Sequence, residues 1–396
     1  MPNQFLSPEG DLENYFVSEY WLIDQYIGDA LWILGSGANG RLGNGATTGN
    51  ISTPVTTFAG GTNWKQVSCA NGHTAAIKTD GTLWTWGTGS NGRLGNAQVT
   101  NVSTPITTFA GGTNWKQVSG GNIHTAVIKT DGTLWIWGNG YNGRLGNAST
   151  TNVSTPITTF AGGTNWKQVS SGGYHTAAIK TDGTLWIWGS GSGGKLGNNT
   201  TVDTSTPITT FAGGNNWKQV SCGIFHTSAI KTDGTLWAWG SGSVGQLGNA
   251  EALGSTKFTP VTTFAGGTNW KQVSSGDNHT AAIKTDGTLW TWGSGSSGKL
   301  GNSTTGDRST PITTFAGGNN WKQVCAGDTH TSAIKTDGTL WTWGGGAFGQ
   351  LGNAATSNRL TPSTIFVGET NWKQVDCGYR NTVAVQAGIN AEYPLS

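Results

Sequence analysis

From about residue 29 onward, apolar residues come in short bursts of strand length, separated by Gly, Asn, Asp and Thr. One stretch reads strand by strand. Trp64 to Ser68 predicts a first short strand, and His73 to Thr79 (His-Thr-Ala-Ala-Ile-Lys-Thr) a second. Asp80-Gly81 between them and the next apolar run predicts a two-residue hairpin turn, because both central positions of such a turn need positive φ. Leu83 to Trp86 predicts the third strand. After a glycine-rich loop and Leu94-Gly95-Asn96, Pro105 to Ala110 predicts the fourth, with Pro at its start, where a missing N–H is tolerated. Four antiparallel strands in about 50 residues make one propeller blade.

The same order returns along the chain. Asn-Trp-Lys-Gln-Val recurs seven times, with Trp at 64, 115, 166, 217, 270, 321 and 372. Leu-Trp recurs seven times, with Trp at 32, 84, 135, 186, 237, 290 and 341. The chain opens on a Leu-Trp half-unit and ends on a Trp-Lys-Gln half-unit. Pairing residues 31–44 with 372–386 completes a seventh blade and removes open sheet edges. The expected architecture is an all-β, seven-bladed propeller over residues 29–390, closed by a split blade from the two ends. Residues 1–28 form a separate acidic segment and 391–396 a tail. Asp11 is placed to cap a helix running to Ile27, with Leu12, Tyr15, Phe16, Ile23, Tyr26 and Ile27 near one face and Gly28 at its end. That segment either covers one face of the ring or attaches it to a larger assembly.

Composition sharpens this picture. Gly is 65 and Trp 21 of 396 residues, which suits many tight turns between packed strands and not disorder. Net charge is +2, so no strong nucleic-acid field is expected. The charge is uneven, since residues 1–30 carry six acidic and no basic side chains. No apolar run is long enough to span a membrane, and the first residues lack the marks of a cleaved leader. Cys69, Cys222, Cys325 and Cys377 fall at nearly the same place in four units, so four reduced thiols are expected rather than a disulfide framework.

The residues that carry chemistry elsewhere read as structure here. Gly-x-Gly-x-x-Gly recurs, as in Gly87, Gly89 and Gly92, but Leu-Gly-Asn follows and no helix can begin to receive a pyrophosphate. His73, His124, His175, His226, His279 and His330 share one unit position, with Asn381 in the seventh. One His per blade does not converge on a metal, and a hydrogen bond to a loop within or between blades is expected. Trp84 and Trp86, two apart on one strand, share a face and read as core. No hydrolase, zinc-protease or P-loop motif is present. No catalytic residue, metal or cofactor is expected.

Strand parity sorts the loops onto two faces. Loops after strands two and four repeat almost unchanged. Loops after strands one and three vary, and the pairs before the His position include Gly173-Tyr174, Ile224-Phe225 and Tyr379-Arg380. Diversified loops on a rigid scaffold are the usual form of a binding surface, and exposed aromatics and Arg are favoured contacts. Tyr141, Tyr174, Ile224, Phe225, Phe348, Tyr379 and Arg380 are the candidate partner-binding residues.

Gly-x-x-His-Thr, then Thr-Asp-Gly-Thr-Leu-Trp-x-Trp-Gly, then Gly-[Arg/Lys/Gln]-Leu-Gly-Asn resembles the RCC1 repeat family over residues 29–386. The near-identical Thr-Asn-Trp-Lys-Gln-Val units also resemble RCC1-repeat structural proteins of tailed marine phages. That resemblance implies a non-catalytic virion component (tail, fibre or surface protein), made in the host cytoplasm. Its partners would be other virion proteins or a host surface molecule, without nucleic acid or membrane insertion. The family also includes nucleotide exchange factors and photoreceptors, so a cytoplasmic scaffold or GTPase exchange factor is the alternative. Against it, no blade carries a long insertion, and none of the fourteen pair positions holds the Trp of the plant photoreceptors.

Overall fold

The computed structural model describes residues 29–58 and 62–388; the expected helix over 11–27, the segment 1–28 and the tail 391–396 lie outside the described residues. Twenty-eight strands, β1–β28 in chain order, form seven four-stranded antiparallel sheets. Each sheet packs face to face on the next, and the last packs on the first, so the ring is closed.

The first complete blade runs outward from the central axis as β3 (Trp64–Cys69), β4 (His73–Lys78), β5 (Leu83–Gly87) and β6 (Val102–Thr107). The first three strands lie where the residue pattern puts them. The fourth is displaced. Pro105 sits inside β6 rather than at its start, because the ladder to β5 shifts register between Val102 and Ile106 and accommodates a residue without an N–H. Phe109 and Ala110 leave the sheet: Gly111 N–H donates to Thr108 O at 3.1 Å and turns the chain toward the next blade.

The split blade is made from both ends, as expected. β1 (Ala30–Ser36) and β2 (Asn50–Thr56) pair with β27 (Trp372–Cys377) and β28 (Asn381–Gln386) in the order β2-β1-β28-β27. Leu31 faces Val385 and Trp32 faces Ala384 across the seam. Lys373 Nζ meets Asp29 Oδ1 at 2.6 Å, and the Gly388 N–H donates to the same carboxylate, so the two ends are held side by side.

Tryptophan and glutamine set the spacing between blades. Trp64 is fully buried and meets Trp84 and Trp86 edge-on, with centroids 6.4 and 6.3 Å apart, an arrangement that adds to the area term. Trp86 Nε1 donates to Arg41 O of the preceding blade at 3.0 Å. Gly43 makes that approach possible: its φ is +64° and a Cβ would stand 2.6 Å from Trp86 Nε1. Nearer the axis, the Gln66 amide receives the Val118 N–H at 3.0 Å and donates to Val118 O at 3.3 Å. Gln374 does the same to Val67 and so fastens the last blade to the first.

The expectation of four reduced thiols fails at one pair. Cys325 on β23 (Trp321–Ala326) and Cys377 on β27 form a disulfide between the sixth blade and the split blade. Their separation of 52 residues is one repeat plus one. In the other blades that same offset carries a hydrogen bond, as from the Gly120 N–H to Ser68 Oγ at 3.0 Å. Cys69 and Cys222 remain free and buried, and burial pushes the Cys222 thiol up to about 12, which makes it inert.

Candidate functional site

The six histidines join the blades. Each is fully buried, and its Nε2 lies 2.7–2.8 Å from a Thr hydroxyl of the next blade, as His73 to Thr125 and His330 to Thr382. Thr125 Oγ1 donates its proton to Arg93 O, so His73 must donate from Nε2. Nδ1 is left buried without a hydrogen-bond partner in all six. Burial therefore holds every imidazole well below its ordinary range, His226 and His330 at about 3. These are neutral structural donors. Asn381 occupies the seventh position, and its amide makes no such bond. No group of three His, Cys, Asp or Glu able to hold a metal is found among the described residues.

The glycine-rich loops lead into single 3-10 turns such as Ser90–Gly92, not into a helix. The turns present the basic residue of Gly-[Arg/Lys/Gln]-Leu-Gly-Asn, which reaches sideways to the next blade. Arg41 Nη1 donates to Asn71 O at 2.9 Å, Arg93 Nη1 to Asn122 O at 3.0 Å, and Lys299 Nζ to Asp328 O at 3.0 Å. The receiving carbonyls belong to the variable pairs. Arg41, Arg93, Arg144 and Lys299 thus hold the backbone of four of the seven variable loops while leaving their side chains free to differ, a role the sequence pattern did not announce. Lys195, Gln246 and Gln350 bond within their own turns instead.

The variable loops surround one mouth of a polar central cavity of about 320 Å³. Ile224 and Tyr379 line it directly. Tyr141, Tyr174 and Phe225 are exposed by 66%, 39% and 41%, while Ile224, Phe348, Tyr379 and Arg380 are half-buried. Two groups form. On one side Tyr174 lies 5.4 Å from the Arg144 guanidinium, and Ile224 leans on Gly173 beside Tyr174. On the other, the Arg380 guanidinium stacks 4.2 Å from Phe348 and 4.6 Å from Tyr379. Tyr141 stands apart from both, at the head of the 3-10 turn Tyr141–Gly143. Between the two groups, Asp277 and Asp328 face each other on neighbouring blades. Burial first, and then the Asp328 charge, raises the Asp277 carboxyl far above the usual carboxylate range. Residue-by-residue reading missed this pair, because each Asp alone looks like a loop residue.

The unchanging face also holds features that the sequence did not reveal. Phe58, Phe109, Phe160, Phe211, Phe264, Phe315 and Phe366, one per blade, are each about 70% exposed where the outermost strand ends. They follow from the shortened fourth strand described above.

Comparison with known proteins agrees with this geometry. The model of the RCC1-like domain matches residues 159–390, and that of the RCC1 repeat matches residues 29–77, 80–128 and 131–179. The chain is 32% identical over 345 residues to the ultraviolet-B receptor UVR8 of Arabidopsis thaliana, covering 85% of this chain and 78% of that one. It is 30% identical to the mitochondrial RCC1 domain-containing protein RUG3 of the same plant, covering 77% and 69%. Yeast RCC1 (Prp20), solved with Kap60, superimposes with a TM-score of 0.81 over 99% of this chain and 95% of that one, at 19% identity, a likeness of fold alone. The repeat pattern, the closed seven-bladed ring and these matches together place the chain in the RCC1-repeat family.

Proposed function

We propose that this chain is a non-catalytic binding protein, whose variable face docks a protein partner across the mouth of the central cavity. One observation carries the reading: side-chain variety is concentrated on one face, where Tyr141, Tyr174 and Phe225 are exposed and four of the loops, at Asn71, Asn122, Gly173 and Asp328, have their backbone held from behind by Arg41, Arg93, Arg144 and Lys299. A pinned, aromatic-rich surface costs little entropy to dock, and Tyr, Phe and Arg are the residues that most often dominate such contacts. The setting we propose is a virion, with another particle protein or a host surface molecule as the partner. Its support is the phage-like wording of the repeats, together with a Cys325–Cys377 bond that persists in oxidising surroundings, virion surfaces included.

The test is a double variant, Phe225→Ala with Tyr379→Ala. Affinity for the partner recovered on the wild-type ring is expected to fall at least tenfold, about 1.4 kcal/mol or more, with thermal unfolding unchanged. Undiminished affinity removes the variable face from the account.

A further inference from the structure

The unchanging face is basic around the axis. Lys65, Lys116, Lys167, Lys218, Lys271, Lys322 and Lys373 follow the first Trp of each innermost strand, and all seven are exposed. Six more, beginning with Lys78, end the second strands, with Nζ 4.9 Å from the Trp64 ring and 4.8 Å from Trp84 in the first blade. Among the described residues, Glu369, Asp29 and the six hairpin aspartates of the Asp-Gly turns stand against these thirteen. Asp80 and its counterparts are already engaged, accepting from the N–H and hydroxyl of the Thr two residues on.

The chain enters the ring at this same face. In the complete blades the N–H of an innermost-strand Trp donates to the Gly of the preceding Asp-Gly turn, as Trp115 to Gly81 O at 3.1 Å. Trp64, which opens the first complete blade, donates its N–H instead to Asp29 O of the split blade at 3.1 Å. Asp29 therefore stands where a hairpin turn would be, and residues 1–28 leave from the face that carries the turns and the lysines. Those residues hold Glu9, Asp11, Glu13, Glu19 and Asp24 and no Lys or Arg. They also hold apolar Leu12, Tyr15, Phe16, Ile23, Tyr26 and Ile27, and Phe58, 73% exposed, ends the outer strand of the blade from which they emerge.

We infer that the acidic segment 1–28 docks in cis on the lysine ring, beside the seam between the split blade and its neighbours. The Lys373–Asp29 ion pair is the first contact of that series. Twenty-eight residues reach at most about 100 Å when extended, so length does not limit the contact. Opposite charges on a segment and on the face it leaves favour association in a manner that salt weakens. Occupying this face leaves the variable face as the one free for a partner.

Near-identical repeats supply an internal control. Lys65 and Lys322 flank the split blade, and Lys167 and Lys218 lie across the ring in the same local sequence. Brief acetylation of the full chain, read by mass spectrometry, is expected to modify Lys65 and Lys322 at least threefold more slowly than Lys167 and Lys218. The asymmetry is expected to vanish in a variant with Glu9→Gln, Asp11→Asn, Glu13→Gln, Glu19→Gln and Asp24→Asn, and at about 1 M salt, where the screening length is about 3 Å. Equal rates at the four lysines in the wild type overturn the proposal. Protection that disappears on dilution overturns it too, since the segment then belongs to a second copy.

Discussion

Lowering the pH from 7 to about 4.5 is expected to unfold the ring. The cause is the six His–Thr bonds between blades. Each imidazole is neutral and fully buried in the folded chain, held well below its ordinary 6.5 by burial, and its free Nδ1 faces no acceptor. In the unfolded chain the same groups take up a proton near 6.5. The depressed folded value means that their contribution is complete above pH 6.5 and is lost as pH falls below it. Two carboxyls pull the other way. Asp376, raised to about 6 by burial, and Asp277, raised by burial and by Asp328, are protonated in the fold at a pH where the unfolded chain ionises them. The balance is about four protons taken up on unfolding, or about 5 kcal/mol for each pH unit. Against a stability of 5–15 kcal/mol typical of folded domains, about two units are enough. Tryptophan fluorescence against pH, with 21 Trp reporting, should show one steep transition between about pH 6 and 4. A ring that keeps its native emission to pH 3.5 contradicts the assignment of the histidines as buried neutral donors.

Opening the Cys325–Cys377 bond has the second largest effect. The closed loop of 52 residues corresponds to about 4 kcal/mol of unfolded-state entropy removed. The bond ties the innermost strand of the split blade to the sixth blade, whereas the other side of that blade is held without a covalent link, by the Gln374–Val67 hydrogen bonds and by apolar packing of Val383 and Val385 with Trp64 and Val67. Reduction, or Cys325→Ser with Cys377→Ser, is expected to lower the unfolding free energy by about that amount, and the denaturant midpoint with it, and to open the ring at the seam first. Hydrogen exchange should quicken in β27 and β28 before any other strand. The same midpoint with and without reductant contradicts a structural role for the bond.

The ring itself could be read in the sequence because the repeat imposes it. Seven Trp-Lys-Gln-Val units, an Asp-Gly turn in six of them and a half-unit at each end leave one closure to consider. What escaped the reading lies between blades. His73 meets Thr125 and Cys325 meets Cys377 at a separation of 52, one more than the repeat, because the ring sets each residue against its neighbour's next position. Comparing cysteines at equal repeat positions hides that offset. The seven exposed Phe were hidden for a local reason: Phe109 continues the alternation of a strand in sequence, yet the chain has already turned at Thr108. The candidate contact residues share the variable face. Their division into a group around Tyr174 and Ile224 and a Phe348–Tyr379–Arg380 group, with Asp277 and Asp328 between, depends on the order of blades around the ring and on no local motif.

A partner seated on the variable face lies within reach of Phe225 and out of reach of the opposite face. The most direct measurement places a photo-reactive residue at Phe225 and, in a second preparation, at Phe211, which is exposed on the opposite side of the same blade boundary. Both are irradiated in material from the source. One discrete crosslinked product is expected from position 225, absent from position 211, with a particle protein or a host surface molecule as its second component. No product at 225, or the same product from both positions, contradicts that seating.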